Sequence, residues 1–318
     1  MTDSLKLSAA YGGEGWSPRQ RSHRQDIGSL WADCGVNNEW APLKTVLLHA
    51  PGEEWDHLSD PNAALMEEAP NLELAREQHD AIAQAYKGHG VKVHYVEPDQ
   101  TPPPNLIFCA DLFVMTPEGA ILARPASTVR AGEERWVARR LADLGIPIVR
   151  TLRGKGTFEG ADLLWLDAET ALLGRGLRTN AEGAAQVGEA LEGMGVSVML
   201  VDLPIGSMHL MGMLRFLDRD LAVGWPGRLS YFAVEALREH GYRVNLIPDE
   251  AEARRHALNV VTLGPREILM PAGKPITRAF YENHGVTCHT VETGELNKAA
   301  GGIGCLTGVL ERRNPPKD

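Results

Sequence analysis

The chain has 318 residues, 43% of them hydrophobic and 23% charged, which is ordinary globular composition for one large domain or two average ones. Its formal net charge is −10 and its pI about 5.6; this disfavours nucleic acid and anionic membranes as partners, because both need a basic footprint, but not a cationic substrate. Cys34, Cys109, Cys288 and Cys305 are too few and too scattered for a disulfide scaffold.

No apolar run approaches the roughly 18 residues that a membrane span needs. The N-terminus also lacks the apolar region of a secretory signal, so a reducing cytoplasm is the expected location. Residues 1–40 are rich in Gly, Ser, Arg and Trp without periodicity and read as an N-terminal arm. Trp16, Trp31 and Trp40 could pack it down or serve a homo-oligomer contact. Residues 41–318 read as one domain. Leu43–His49 is a buried strand. Residues 51–71 form a long polar connection, of the length usual for a lid. Leu72–His89 has helical spacing, with Leu74, Ala75, Ile82 and Ala85 on one side, and Gly90 stops it. Val91–Val96 is a strand.

From there the chain repeats itself. DLFVMTPEGAILAR begins at Asp111, DLLWLDAETALLGR at Asp162, MLRFLDRDLAVGW at Met213 and NVVTLGPREILMP at Asn259. Each reads as a hairpin followed by a helix and a third strand, at intervals of roughly 50 residues, the signature of a radial or stacked array. A fifth unit closes from both ends, with CLTGVLE from Cys305 as its first strand and residues 43–96 as the rest. The expected fold is therefore a five-bladed α/β propeller of ββαβ units, whose closure leaves no open edge.

Aligned on the hairpins, the polar residues fall at one place in each unit. Asp111 begins the first, Glu159 and Asp162 the second, Asn259 the fourth and Cys305 the fifth, and His209 lies just before the third. In a closed array these positions meet at the axis. A thiol to attack, an imidazole to move protons and carboxylates to hold a cation form a coherent set. Asp111 and Asp162 also suit the capping of turns. His209, between methionines and leucine, also suits a satisfied core position. Leu58 is the expected lid contact over this pocket. Cys288 and His289, with His284 and Cys305, are the rival zinc ligands. No CxxC or HxxxH pair supports them, so no metal is expected. No Walker-type or GxGxxG phosphate loop occurs.

The segments FEGADLLWLD, GLRTNAEG, GSMHLMG and GGIGCLT resemble the guanidino-group-modifying, or pentein, superfamily. That superfamily includes dimethylarginine dimethylaminohydrolase, arginine deiminase and glycine amidinotransferase. The likeness runs from about Leu43 to Arg312, and the superfamily's five-bladed propeller agrees with the repeat. It implies a cysteine-dependent hydrolase of guanidino C–N bonds with no cofactor, acting on a small arginine-like molecule through a cysteine-bound thiouronium. Cys305, His209 and Glu159 would be catalytic. Asp111 would join Glu159 in holding the guanidinium, Arg178 would bind a substrate carboxylate with help from Arg124, and Asp162 would stand behind them. The superfamily's Glu-Gly-Gly-Asp is here Glu159-Gly160-Ala161-Asp162. Deiminases and amidinotransferases carry an aspartate two residues after the histidine; Met211 stands there instead, which points to the dimethylarginine dimethylaminohydrolase branch. An amidinotransferase is the nearest rival. A non-catalytic binding protein, like the ribosome anti-association factor that shares the propeller, would not need the Cys, His and carboxylate set.

Overall fold

In the computed structural model, which describes residues 7–56, 58 and 60–313, each sequence repeat is a hairpin, a helix and a third strand. The N-terminal segment holds a 3-10 turn, Ala9–Tyr11, and one turn of α-helix, α1 (His23–Asp26), fastened by a capping box between Ser22 and Gln25. The unit shared by both ends of the chain has β1 (Leu43–Leu48), α2 (Leu72–Gly88) and β2 (Lys92–Tyr95). The next has β3 (Phe113–Thr116), β4 (Gly119–Leu122), α3 (Glu134–Asp143) and β5 (Ile148–Thr151). Then come β6 (Leu163–Trp165), β7 (Thr170–Arg175), α4 (Ala181–Glu192) and β8 (Ser197–Asp202). The fourth has β9 (Leu214–Asp218), β10 (Leu221–Gly224), α5 (Tyr231–Glu239) and β11 (Arg243–Leu246). After α6 (Glu250–Arg254) the fifth has β12 (Val261–Gly264), β13 (Glu267–Pro271), α7 (Pro275–Asn283) and β14 (Thr287–Val291). The chain ends through α8 (Gly294–Asn297), α9 (Ile303–Leu306) and β15 (Gly308–Arg312).

Five three-stranded sheets result, ordered β15-β1-β2, β3-β4-β5, β6-β7-β8, β9-β10-β11 and β12-β13-β14. In each, the first two strands pair antiparallel and the third joins in parallel after its helix. Together they make the five-bladed α/β propeller expected from the repeat, with its ends closed by the β1–β15 pairing.

The burial pattern explains the order of strands. The inner hairpins β3–β4, β9–β10 and β12–β13 are buried almost throughout, while each third strand is partly exposed. A helix covers one face of that outer strand, and water reaches the rest. The helices carry their own signals. Asn71, Asn180 and Ser230 cap α2, α4 and α5 through side-chain oxygens, and Pro275 opens α7. After the five blade helices the chain turns through Gly90, Gly145, Gly195, Gly241 and Gly285, all at positive φ. A side chain there would strain the reversal into the outer strand. No described helix is long and apolar enough to cross a membrane.

Three expectations are corrected. Cys305 does not begin a strand: it sits on α9, and the strand starts at Gly308. Likewise one-turn 3-10 helices, Cys109–Asp111, Gly160–Asp162 and Leu210–Gly212, precede β3, β6 and β9. These turns stop the chain from running straight into the core and leave side chains at the inner ends of the blades. Of the arm's tryptophans, Trp16 and Trp31 stay exposed, while Trp40 is half-buried beside Tyr242. The arm is held where Gly35 exchanges backbone hydrogen bonds with Leu310 and Arg312, and where the Glu39 carboxylate accepts from Trp165 N. Residues 35–39 thus belong with the propeller.

Candidate active site

The inner-end turns converge on two adjoining cavities that share Cys305, Met208 and Ala300. The smaller is lined also by Leu65, Asn105, Phe108, Asp111, Arg130 and Arg178. The larger opens on the His209 side towards Trp225, Arg228 and Arg254.

Cys305 is held by Asn259. The Asn259 side chain donates to Cys305 Sγ at 2.9 Å, and its oxygen accepts from the backbone N–H groups of Gly304 at 2.7 Å and Cys305 at 3.2 Å. Arg215 lies behind the same turn, close enough that a Cβ on Gly304 would fall 2.1 Å from its Nη2. Burial, and after it the negative charge of Asp111, pushes the thiol above its ordinary pKa; Asn259 and Arg215 pull the other way without winning. The resting sulfur is therefore protonated at neutral pH.

His209 lies between two carboxylates. Its Nε2 is 2.7 Å from Glu159 Oε2, and its Nδ1 is 3.7 Å from Asp111 Oδ1. Burial disfavours the imidazolium, but Asp111, Glu159 and Asp162 outweigh it and raise the histidine from 6.5 to about 9. Burial likewise works against the Glu159 charge, and His209, Arg130 and Arg178 overturn it, holding that carboxyl well below the usual range. At pH 7 the pair is imidazolium and carboxylate.

A second guanidinium is already in this acidic cradle. Arg130 Nη1 donates to Asp111 Oδ2 at 2.6 Å and to Glu159 Oε2 at 3.4 Å, and Arg130 also pairs with Glu133 at 2.9 Å. Arg178 Nη1 donates to both oxygens of Glu159, at 3.2 and 3.1 Å. Asp111, Glu159 and His209 also bring ligand atoms within 4.8 Å of one another, as a cation site would, but here arginine supplies the positive charge. The other oxygen of Asp111, Oδ1, is buried without a hydrogen-bond partner. An orphaned carboxylate oxygen in a buried wall is costly unless a donor arrives.

The family follows from comparison with known proteins. Residues 56–268 match the sequence model of a family described as N,N dimethylarginine dimethylhydrolase, eukaryotic. The N(G),N(G)-dimethylarginine dimethylaminohydrolase of Streptomyces coelicolor is 31% identical over 235 residues, 74% of this chain and 85% of that protein. The chain belongs to the dimethylarginine dimethylaminohydrolase family. The Pseudomonas aeruginosa enzyme of the same name is 29% identical over 240 residues, covering 75% of this chain and 89% of the relative. A solved mutant of that enzyme complexed with citrulline superposes with a TM-score of 0.71 at 26% identity, over 84% of this chain and 98% of the other. An amidinotransferase from Microseira wollei superposes with a TM-score of 0.72 at 15% identity, over 90% and 99% of the two chains, and shares the fold.

On this dimethylarginine dimethylaminohydrolase scaffold the expected site residues divide. Cys305, Asp111 and Arg178 line the smaller cavity, and His209 with Cys305 lines the larger. Glu159 is fully buried and turned to His209, Arg130 and Arg178. Asp162 does not line either cavity. Burial raises it to about 6, and it accepts from Thr179 Oγ1 at 2.6 Å and Leu210 N at 3.0 Å, so it braces the turn that carries His209. Arg124 is drawn away: its Nη1 donates to the Gly156 carbonyl at 3.1 Å. Leu58 packs against the hydrophobic cluster beside β1, whereas Leu65, at φ 62°, is the residue of the 51–71 segment that lines the cavity. That segment's His57 and Ser59 lie outside the described residues. Ala161 is not among the residues at positive φ, so alanine fits where the superfamily has glycine.

Sequence reasoning missed Arg130 and the part played by Asn259. Arg130 follows Asp111 by 19 residues and Arg178 follows Glu159 by 19, but the repeat aligns Asp111 with Asp162, so the two arginines are not equivalent positions and the repeat did not mark Arg130. Asn259 stood at the expected level of its repeat but was assigned no role.

The raised histidine has a measurable consequence. A group whose pKa is higher folded than unfolded adds stability below its unfolded value and loses it as pH rises through the folded one. Thermal stability is expected to fall as pH climbs from 6.5 towards about 9, and the fall should be smaller in His209→Gln. Melting curves across that range check it; superimposable pH profiles for the two proteins would contradict the His209 charge state.

Proposed function

We propose that the protein hydrolyses an arginine-type amino acid substituted on its guanidinium, an N-methylated arginine foremost, with Cys305 as nucleophile and His209 as proton carrier. It is a guanidino C–N hydrolase of the dimethylarginine dimethylaminohydrolase family. One observation carries the residue roles: Asp111 and Cys305 line the same cavity, and Asp111 Oδ1, buried without a hydrogen bond, lies 3.7 Å from His209 Nδ1, while its other oxygen already binds a guanidinium. The cradle is shaped and charged for that group.

A guanidinium is a planar cation, and resonance makes its carbon a weak electrophile, so attack needs a thiolate and a fixed approach. Asp111 supplies both. Burial, and after it the Asp111 charge, hold the resting thiol protonated; a bound guanidinium offsets that charge, and the thiol then ionises, its proton passing to solvent. The thiolate forms a C–S bond to the guanidinium carbon. His209, already an imidazolium, gives its proton to the substituted nitrogen, and the C–N bond breaks to release the amine. A thiouronium remains on Cys305. Water then attacks with His209 accepting a proton, the C–S bond breaks, and a ureido amino acid leaves. Glu159 keeps the imidazolium charged and oriented throughout. No step calls for a metal or organic cofactor.

Arg178 supports recognition of the substrate carboxylate, since it lines the smaller cavity and arginine suits bidentate carboxylate binding. It also holds Glu159, so Arg178→Ala is expected to slow a carboxylate-bearing substrate and its decarboxylated analogue alike, with a further rise in KM for the first alone. Equal losses on both would leave Arg178 as a support for Glu159 only. The function itself is tested with a panel of guanidino compounds scored for ureido product and released amine. N-methylated arginine is expected to give both; a panel without ureido product would overturn the proposal.

The wide cavity beside His209 favours a second possibility, an amidinotransferase, because it has room for an amine to replace the water. Supplying amines and looking for a new guanidino product separates the two.

A further inference from the structure

We propose that His89, Glu267 and His289 form a surface binding site for a divalent cation of the zinc, nickel or copper type, away from the active site and between two blades. His89 follows the last turn of α2, Glu267 begins β13, and His289 lies in β14. The β1 blade and the β12 blade each contribute, so a bound ion would tie one to the other.

The geometry is that of a chelate. His289 Nε2 lies 2.8 Å from Glu267 Oε1, and His89 Nε2 lies 3.8 Å from the same oxygen. The two imidazoles stand edge to face with centroids 4.2 Å apart, and one ligand atom from each of the three residues falls within 4.8 Å of the others. Tetrahedral zinc with bonds of about 2.0–2.2 Å places its ligands about 3.3–3.5 Å apart. The two measured edges bracket that value, so small side-chain rotations suffice.

The tautomer of His89 is fixed as metal ligation needs it. Its Nδ1 is 2.7 Å from the Ala85 carbonyl, which can only accept, so Nδ1 is engaged as a donor and Nε2 is the ring atom left to a metal. Ligating histidines characteristically donate their other nitrogen in this way. His89 Nε2 is then the ring atom turned to the Glu267 oxygen that His289 Nε2 also reaches, so the three ligand atoms lie together. Arg266 beside Glu267 is directed to Asp218, Asp220 and the His284 carbonyl. Two imidazoles and one carboxylate select borderline transition metals over magnesium or calcium. The sequence had put His289 with Cys288, His284 and Cys305. The fold separates these, sending the Cys288 thiol towards the Val286 carbonyl and Cys305 to the axis.

The active-site thiol is a competing ligand, so the test uses full-length Cys305→Ser protein stripped with a chelator. Zinc chloride is added in a calorimeter and in thermal melts, and cobalt(II) is added while visible absorption is recorded. One equivalent of zinc is expected to bind and to raise the melting temperature, with cobalt d–d bands that lack a thiolate band. Adding His89→Gln or His289→Gln should abolish the equivalent, the melting shift and the bands. These side chains lie on the surface, so folding should persist, and in the Cys305 parent the same changes should leave metal-free hydrolysis unaltered. Zinc uptake unchanged by both histidine variants would place the metal elsewhere, and no uptake would remove the site; either result overturns the proposal.

Discussion

Cys305→Ser is expected to lower turnover by on the order of 10⁴-fold or more while the propeller stays folded. The loss follows from what surrounds the sulfur. Asp111 and burial oppose any negative charge there, and a bound guanidinium relieves that opposition enough for a thiol. A serine hydroxyl ionises far less readily, and the resting site gives it no base, because His209, raised to about 9, is already an imidazolium at neutral pH. The fold should persist because serine is nearly isosteric and can still accept from Asn259. Steady-state kinetics with melting curves check both halves. Substantial activity in a folded Cys305→Ser protein would remove the nucleophile assignment.

His209→Ala is expected to cost about 10²–10⁴-fold in kcat, the usual worth of a positioned proton carrier. Two further effects separate a chemical role from a packing one. The covalent adduct on Cys305 should accumulate, because the same imidazole must deprotonate the water that releases it; intact-protein mass spectrometry would detect it. The pH profile should also change. In the parent, kcat/KM should fall above about pH 9 as His209 loses the proton it must donate, and this descending limb should be missing from the variant. Removing the imidazolium also leaves Glu159 with only its arginines, and breaking a buried charged pair often costs about 3–5 kcal/mol, so melting must be measured alongside. A loss under tenfold, with no adduct and an unchanged profile, would make His209 a packing residue.

The repeat was legible because each blade writes the same local physics. A buried run, a tight turn, a second buried run, an amphipathic helix and a glycine stop recur in order, and these features are short-range. The closing of the circle was legible too, because the first and last pieces each lacked what the other had. The entry into each hairpin was not. The one-turn helices at Asp111, Asp162 and after His209, and the helical turn under Cys305, are each only three or four residues long, too short to show a period. Within residues 51–71, Leu65, at a left-handed turn, lines the cavity, a placement that no sequence period marks.

By itself the sequence determined the blade count, the alignment of Asp111, Glu159, His209, Asn259 and Cys305 at one level, and a resemblance that named the chemistry. Only the tertiary structure decided which carboxylate lines the cavity and which is buried against the histidine. Arg130 was decided there too. In sequence it looks like a surface arginine near a helix start, yet it is buried, with Asp111, Glu133 and Glu159 around it. A charge is tolerated there only because two blade-end carboxylates, Asp111 and Glu159, and Glu133 at the start of α3 converge on it. That convergence depends on residues up to 29 positions apart in the chain, and on a fold that brings them within hydrogen-bonding reach. Hydrogen bonds and charges act through space with no periodic trace in the sequence, so the pairing of Asp162 with Thr179, of Asn259 with Cys305, and of His89 with His289 could be read only once the blades were closed.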